Sequence, residues 1–200
     1  MRWAAKNGHV EVLRFFKDDF GLTAEDARAN DNDALEMAAR NGHEKVLLCL
    51  KKFGLTADDA RGEYNFALED AASNGHVEVM SVLKNDFELT ADDARAGRNN
   101  ALKMAAQNGH VEVLRFLKNE FGLTTEDARA HNNEALRSAA ENGRVEVLRF
   151  LKDEFELTAK DARVDFNYTD RNNNIFRLST LKTRVEVVDF FKNEWGVTLS

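Results

Sequence analysis

The sequence contains no proline and a single cysteine, Cys49, among its 200 residues. One cysteine excludes an intrachain disulfide framework and a zinc site of several cysteines, and it suits a reducing compartment. The absence of proline, where average usage would give about ten residues, argues against rigid linkers and favours one continuous array of similar elements. The longest apolar run is the five residues 46–50, which is too short for a membrane span or for the core of a secretory signal. We therefore expect an intracellular, cytoplasmic protein that does not enter a membrane.

The sequence also has fewer basic than acidic residues, with 28 lysines and arginines against 35 aspartates and glutamates, so its net charge is −7. An acidic chain repels the phosphates of nucleic acids unless its basic side chains cluster. We therefore expect no nucleic-acid partner; the alternative would need Arg40, Lys103 and Arg137 to act together with other repeated arginines. The composition is otherwise that of a folded protein, with 43% hydrophobic and 32% charged residues.

What the sequence does contain is a repeat of 33 or 34 residues, marked by three short motifs. Asn-Gly begins at Asn7, Asn41, Asn74, Asn108 and Asn142. Asp-Ala-Arg begins at Asp26, Asp59, Asp93, Asp127 and Asp161. Phe-(Gly/Glu)-Leu-Thr begins at Phe20, Phe53, Phe87, Phe121 and Phe155. The motifs divide the single domain 1–200 into units one to six, namely 1–23 (partial), 24–56, 57–90, 91–124, 125–158 and 159–200, of which the last is a terminal capping unit.

The fourth unit shows the helices that each copy is expected to form. Residues 100–106 are strong helix formers that follow Asn99, an N-cap residue type, and this helix should end at Asn108-Gly109. A second helix should run from about His110 to Phe121, because its apolar residues recur at helical spacing on one face. The opposite face carries Glu112, Arg115, Lys118 and Glu120. The alanine pair in the first helix lets a neighbouring unit approach closely, so each unit should bury its apolar face only against its neighbours.

The connector between units is expected to contain a short third helix. Thr124 and Asp127 have the spacing of a capping box in which aspartate replaces the usual glutamate or glutamine. The arginine of each Asp-Ala-Arg motif keeps its position, and we predict that it pairs with an acidic group of the adjacent unit to form a ladder. These arginines are Arg28, Arg61, Arg95, Arg129 and Arg163. An acidic partner with matching spacing is the alternative use of this row.

Residues 105–114, Ala-Ala-Gln-Asn-Gly-His-Val-Glu-Val-Leu, resemble the core of the ankyrin repeat, Ala-Ala-x-x-Gly-His-x-x-Val-Val. The tetratricopeptide repeat has a similar period but lacks the Gly-His turn. Two family features are missing, because residues 33–36 read Asp-Ala-Leu-Glu in place of Thr-Pro-Leu-His, and the glycine of the β-hairpin tip is absent. The resemblance implies an all-α, ankyrin-like helical-repeat solenoid of about six units, in which a short helix or loop replaces the hairpin finger. It also implies binding of other proteins through the concave surface made by the finger tips and the inner helices.

Positions that vary between copies are the candidate contacts, because stacking does not require one residue type there. At the finger tips, the third and fifth positions after the arginine are Asp31 and Asp33, Tyr64 and Phe66, Arg98 and Asn100, Asn132 and Glu134, and Phe166 and Tyr168. The position after the alanine pair of the inner helix holds Arg40, Ser73, Gln107 and Glu141. Exposed aromatic side chains are typical of binding hot spots, although Phe66 could also pack into the core. We expect these residues to form the partner-binding surface, and the six extra residues around 168–173 are an alternative binding element.

Catalytic and metal sites find no support in the sequence. One repeat slot holds His9, His43, His76 and His110. These histidines should lie on the order of 10 Å apart, whereas the ligands of one metal ion lie roughly 2 Å from it. We interpret them as residues that fix the turn into the second helix, and Cys49 as a small core residue.

No nucleophile–base pattern accompanies the carboxylates, and an enzyme would need a convergent polar pocket. We therefore expect no enzyme activity, cofactor or metal. The predicted function is that of a monomeric, non-catalytic scaffold that binds another protein on its concave face and loop tips. The alternative is a substrate-targeting or effector module of a larger protein whose active part lies outside this chain.

Overall fold

The computed structural model describes residues 1–62, 65–162 and 181–197, with the side chains of 181–184 excepted. Across these residues the chain forms helices and no β-strand. Units one to three contain α1 (Arg2–Lys6), α2 (Val10–Asp18), α3 (Ala24–Ala27), α4 (Ala29–Arg40), α5 (Glu44–Phe53), α6 (Ala57–Arg61), α7 (Phe66–Asn74) and α8 (Val77–Asn85). Units four to six contain α9 (Ala91–Asn108), α10 (Val111–Asn119), α11 (Thr125–Glu141), α12 (Val145–Asp153), α13 (Ala159–Ala162) and α14 (Leu181–Trp195). Along the same residues, no helix combines the length and the apolar character needed to cross a bilayer.

The helices pack in an inner row and an outer row. In the inner row, α1, α4, α7, α9 and α11 contact one another in that order, and α2, α5, α8, α10, α12 and α14 do the same in the outer row. The inner row is close-packed because its facing residues are small, and Ala72, Ala105 and Ala139 have no exposed surface. Larger side chains such as Phe87 and Leu114 fill the space between the two rows. The predicted all-α repeat solenoid is therefore confirmed.

The connectors contain a short helical turn in place of a hairpin. Thr124 and Asp127 form the predicted capping box, in which the aspartate carboxylate accepts the Thr124 amide N–H at 2.8 Å. Equivalent boxes begin at Thr23, Thr56 and Thr90. The predicted third helix is confirmed, although in α9 and α11 it runs into the inner helix across a kink.

The kink consists of three successive residues with left-handed backbone. In unit five these are His131, Asn132 and Asn133, with φ angles of 54°, 60° and 55°. Residues 30–32 and 97–99 adopt the same turn in units two and four. Among residues with a side chain, asparagine tolerates this backbone best, which explains why units two, four and five end the turn with asparagine.

The repeated asparagine does not cap the inner helix with its side chain. Asn65 stands at the N-cap position of α7 but makes no capping hydrogen bond. Asn99 and Asn133 donate through Nδ2 to the carbonyl oxygens of Asp127 (3.3 Å) and Asp161 (3.4 Å) in the following unit. The prediction that Asn99 caps the inner helix through its side chain is therefore wrong, because Oδ1 accepts no hydrogen bond and Nδ2 bonds to the following unit.

Candidate partner-binding surface

Arg95 and Asp127 show how the connectors join successive units. The guanidinium donates from Nε to Oδ1 of Asp127 at 2.8 Å and from Nη2 to Oδ2 at 3.1 Å. Equivalent bidentate pairs join Arg28 to Asp59, Arg61 to Asp93, and Arg129 to Asp161. The predicted ladder is confirmed at these four junctions, and Arg163 lies outside the described residues.

Each aspartate of the ladder is held in its charged form. Burial alone would raise the pKa of Asp127, but hydrogen bonds from Arg95 and Thr124 outweigh it, and the pKa lies below the usual value of 3.8. The same balance lowers the pKa values of Asp59, Asp93 and Asp161. One carboxylate therefore caps a helix and binds the preceding unit at the same time.

Removing one arginine of the ladder should destabilise the array. Hydrogen bonds to charged groups contribute about 1.5–3 kcal/mol, but the Arg95 side chain is 36% exposed, so we expect Arg95→Ala to cost roughly 1–2 kcal/mol. The control is Arg14→Ala, because Arg14 pairs with Glu11 on its own helix at 2.7 Å, an exposed contact worth about 0.5 kcal/mol or less. Urea denaturation measures both losses, and equal losses would contradict a stabilising role for the ladder.

The histidine slot joins units through the backbone of the inner helix. Nε2 of His76 lies 3.1 Å from the carbonyl oxygen of Arg40, and Nε2 of His110 lies 3.0 Å from that of Ser73. In unit five, Arg144 donates from Nε to the carbonyl of Gln107 at 3.0 Å. These residues occupy the N-cap positions of the outer helices, but their side chains make no capping bond. The interpretation that they fix the turn is therefore corrected, because they fix the contact with the preceding unit.

The glycine of Asn-Gly makes room for this contact. A Cβ added to Gly75 would lie 2.8 Å from Nδ1 of His110, and the backbone φ of Gly75 is +82°. Both the space and the left-handed backbone therefore require glycine at this position. This explains why the Asn-Gly marker accompanies the following unit's histidine.

The four candidate residues of the inner helices share one slot but differ in environment. Arg40 is exposed and pairs with Asp70 of unit three at 2.9 Å. Ser73 and Gln107 are half-buried. Glu141 is also half-buried, and burial raises its pKa to about 7 against the opposing charge of Arg137. This row therefore presents a cation, two neutral groups and an acid along the array.

The finger-tip candidates differ in exposure and in whether they contact a neighbouring unit. Asp31, Arg98 and Asn132 are exposed, and Asn100 is half-buried. Three candidates contact a neighbouring unit: Asp33 lies 2.8 Å from Arg2, Glu134 lies 3.3 Å from Lys103, and Nε of Arg98 lies 3.3 Å from Nδ1 of His131. Phe66 is 48% exposed. Tyr64, Phe166, Tyr168 and the insertion around 168–173 lie outside the described residues.

A cleft of about 230 Å³ lies between the fingers of units two and three. Its walls include Asp31, Asp33 and Glu36 on one side and Arg61, Gly62 and Phe66 on the other. The pKa of Glu36 is raised by burial and by the charge of Asp70. Asp33 and Glu36 are already paired with Arg2 and Arg40, so the cleft offers a partner the Phe66 ring together with the exposed carboxylate of Asp31.

Two kinds of group among the described residues could carry other chemistry, namely metal ligands and the single cysteine. Across 1–62, 65–162 and 181–197, no three His, Cys, Asp or Glu side chains are arranged to hold a metal ion. Cys49 is buried in the core, as predicted, and burial raises the pKa of its thiol, which disfavours the reactive thiolate.

The comparison with protein families decides the identity of the repeat. A family model for three copies of the ankyrin repeat matches residues 1–93 and again residues 68–161. The chain belongs to the ankyrin-repeat family. No curated protein matches this ankyrin array. Ankyrin repeats are in general protein–protein interaction modules, and the fold and the family predicted from the Gly-His motif are both confirmed.

Proposed function

We propose that this ankyrin array is a non-catalytic scaffold that binds a partner protein along its concave face. The binding surface consists of the row after the alanine pairs and of the exposed finger-tip residues. The row holds Arg40, Ser73, Gln107 and Glu141, and the tips contribute Asp31, Phe66, Arg98 and Asn132.

The observation that carries this proposal is a fixed backbone beneath variable side chains. The carbonyl groups of Arg40, Ser73 and Gln107 are each held by a side chain of the following unit at 3.0–3.1 Å. The side chains at the same slot are a guanidinium, a hydroxyl and an amide. A rigid scaffold reduces the entropy lost on binding, and the side chains are left to determine which partner binds.

Phe66 is the strongest candidate for an anchor residue. Its ring is 48% exposed, and the equivalent residue one unit earlier is Asp33, so the fold accepts either side chain at this slot. An aromatic ring that becomes buried in a partner's pocket commonly contributes about 2 kcal/mol or more. The ring also borders the cleft with Asp31, whose carboxylate is exposed, which favours a partner segment containing lysine or arginine.

Substituting Phe66 should weaken binding without unfolding the array. We expect Phe66→Asp, which copies the residue of unit two, to raise the Kd for the partner at least tenfold, or about 1.4 kcal/mol. A pull-down from native extract identifies the partner, and titration calorimetry then measures the Kd of each variant. Thermal denaturation checks that the variant is folded.

The matched control is Glu112→Ala on the outer helix α10, where the Glu112 side chain is 75% exposed. This change should leave the Kd unaltered. If Phe66→Asp folds and binds the partner as tightly as the parent, the recognition surface lies elsewhere. If Phe66→Asp melts much earlier, the ring belongs to the core and its assignment to the surface is wrong.

A further inference from the structure

The cleft between the fingers of units two and three is much larger than the corresponding space at the next junction. Its volume is about 230 Å³, whereas the space beside Asn65 and Asn100 is about 10 Å³. A volume of about 10–15 Å³ admits a single water molecule. Of these two spaces, only the cleft is therefore large enough to receive a side chain.

Part of the cleft is apolar. The Phe66 ring, which is 48% exposed, borders it together with the buried side chains of Leu35 and Ala67. This surface suits a stem of methylene groups that carries a polar end. The slot of Phe66 holds a polar or charged residue in the other described fingers, namely Asp33, Asn100 and Glu134.

The ladder residues in the wall of the cleft already have partners. Nε of Arg61 donates to Asp93 at 2.8 Å. Asp59 accepts from Nε and Nη2 of Arg28 at 2.7 and 3.0 Å. Asp31 differs from these residues, because it is exposed and no basic group of the described residues pairs with it.

The remaining carboxylates share too few arginines. Asp33 lies 2.8 Å from Arg2, but Nη2 of Arg40 serves both Glu36 at 2.8 Å and Asp70 at 2.9 Å. Burial and the charge of Asp70 raise the pKa of Glu36. Together with the unpaired carboxylate of the finger, four acidic groups face two arginines on this side of the cleft. The surplus of negative charge favours a cationic occupant.

We propose that the cleft binds the side chain of a lysine in the partner protein. The inference rests on the proposed function, and it names the side chain that the partner places beside Phe66. The methylene stem packs on the ring, and the ammonium group pairs with Asp31.

The wall of the cleft fits lysine better than arginine. An ammonium group is a compact charge with three donors, whereas a guanidinium presents five donors in one plane. Most carboxylates of the wall already bind a guanidinium, namely Asp33, Glu36 and Asp59. The donors of a further guanidinium would therefore lack acceptors, and a donor buried without an acceptor weakens binding.

A lysine derivative tests the cleft directly. We expect N-acetyl-lysine methylamide, titrated into the isotope-labelled array, to shift the NMR amide signals of Asp31, Gly62 and Phe66 with a Kd on the order of 1–10 mM. The norleucine derivative keeps the stem without the charge and should bind roughly tenfold more weakly. The arginine derivative should bind about threefold more weakly.

Asp31→Asn removes the unpaired charge and keeps a residue that tolerates the left-handed backbone, since φ is 58° at this position. The change copies Asn132 of unit five. It should weaken binding of the lysine derivative roughly tenfold and leave the thermal midpoint nearly unchanged. The matched control is Asp92→Asn in the connector of unit four, where the carboxylate is 96% exposed, and it should leave the Kd unaltered.

The proposal is overturned if the lysine derivative shifts no signal of the cleft at concentrations up to about 20 mM, well above the expected Kd. Equal affinity for the arginine or norleucine derivative, or full affinity in Asp31→Asn, also overturns it. A partner that depends on Phe66 while the lysine derivative does not bind would reject the lysine site and leave the scaffold in place. Failure of the proposed function looks different, because the lysine derivative then binds in the cleft while the partner is indifferent to Phe66→Asp.

Discussion

Acidification below about pH 4 is expected to unfold this protein, because the four junctions of the ladder titrate in the same direction. The pKa values of Asp59, Asp93, Asp127 and Asp161 lie below the usual value of 3.8 in the folded chain. At acidic pH the unfolded chain therefore binds more protons than the folded chain. The stabilisation is complete above the usual pKa and is lost as the pH falls through the lowered values.

Glu141 changes the stability of the folded chain in the opposite direction, and it does so at a higher pH. Burial raises its pKa from 4.5 to about 7, so between these values the folded chain binds more protons than the unfolded chain. Its contribution is therefore complete below the usual pKa and is lost as the pH rises through about 7. Together the two kinds of group place the greatest stability at mildly acidic pH.

Urea denaturation midpoints measured from about pH 2.5 to about pH 8 test both limbs of this profile. Asp127→Asn removes one titrating group of the ladder and should make the acid limb shallower. Glu141→Gln should flatten the decline toward neutral pH and leave the acid limb unchanged. An acid limb of unaltered steepness in Asp127→Asn would show that the ladder does not control acid unfolding.

The helix pairs and the ladder could be predicted from the sequence because both depend on local spacing that recurs. The capping box needs only a threonine and an aspartate three residues apart, as at Thr124 and Asp127. The ladder follows from an arginine that keeps its distance to that box, since a solvated arginine has no reason to recur. Stacking then brings each arginine to the next carboxylate, as at Arg95 and Asp127.

The left-handed turn could not be predicted in the same way. Arg98 gives no sign of positive φ, because left-handed backbone is unfavourable at arginine. The recurring asparagine tolerates this backbone but is equally typical of an ordinary N-cap. Contacts between units hold the turn, since Asn99 donates to the carbonyl of Asp127. A conformation that depends on the neighbouring unit leaves only a weak signal in its own residues.

Helical periodicity also fails to predict which polar residues of the outer helices contact the next unit. The polar face of α10 is expected to meet solvent, yet the Arg115 guanidinium lies 5.1 Å from the ring centre of Phe150 in the next unit. Lys118 likewise lies 2.9 Å from Glu154. Periodicity separates polar from apolar residues, but it does not reveal that the following outer helix covers one edge of the polar face.

Variation between copies also mixes two kinds of residue in the candidate site. Asp33, Arg40 and Glu134 vary between units, and the structure pairs each of them with a charge of a neighbouring unit. A slot can therefore vary because partners differ or because charge pairs are exchanged together. Exposure alone does not separate the two, since Arg40 is exposed and paired. Asp31 and Phe66 are the sharper candidates for partner contact because both are exposed and border the cleft.

Replacing Ala105 with phenylalanine is expected to produce a large loss of stability from a single side chain. Ala105 has no exposed surface, and its helix α9 packs between α7 and α11 in the inner row. The added ring has no cavity to fill, so the inner helices must move apart. Overpacking of this kind typically costs about 1–3 kcal/mol, which corresponds to a thermal midpoint lower by roughly 2–12 °C in a chain of this size.

Gln107→Phe provides a matched control for Ala105→Phe, because it places the same ring two residues along the same helix. Gln107 is half-buried in the variable row, and a substitution there should change the free energy of unfolding by about 0.5 kcal/mol or less. Thermal and urea denaturation of both variants compare the two positions directly. A small loss for Ala105→Phe, or equal losses for both, would show that the alanine pair does not set the distance between inner helices. A large difference would assign the close approach of the units to the alanine pair and leave the neighbouring slot free to vary with the partner.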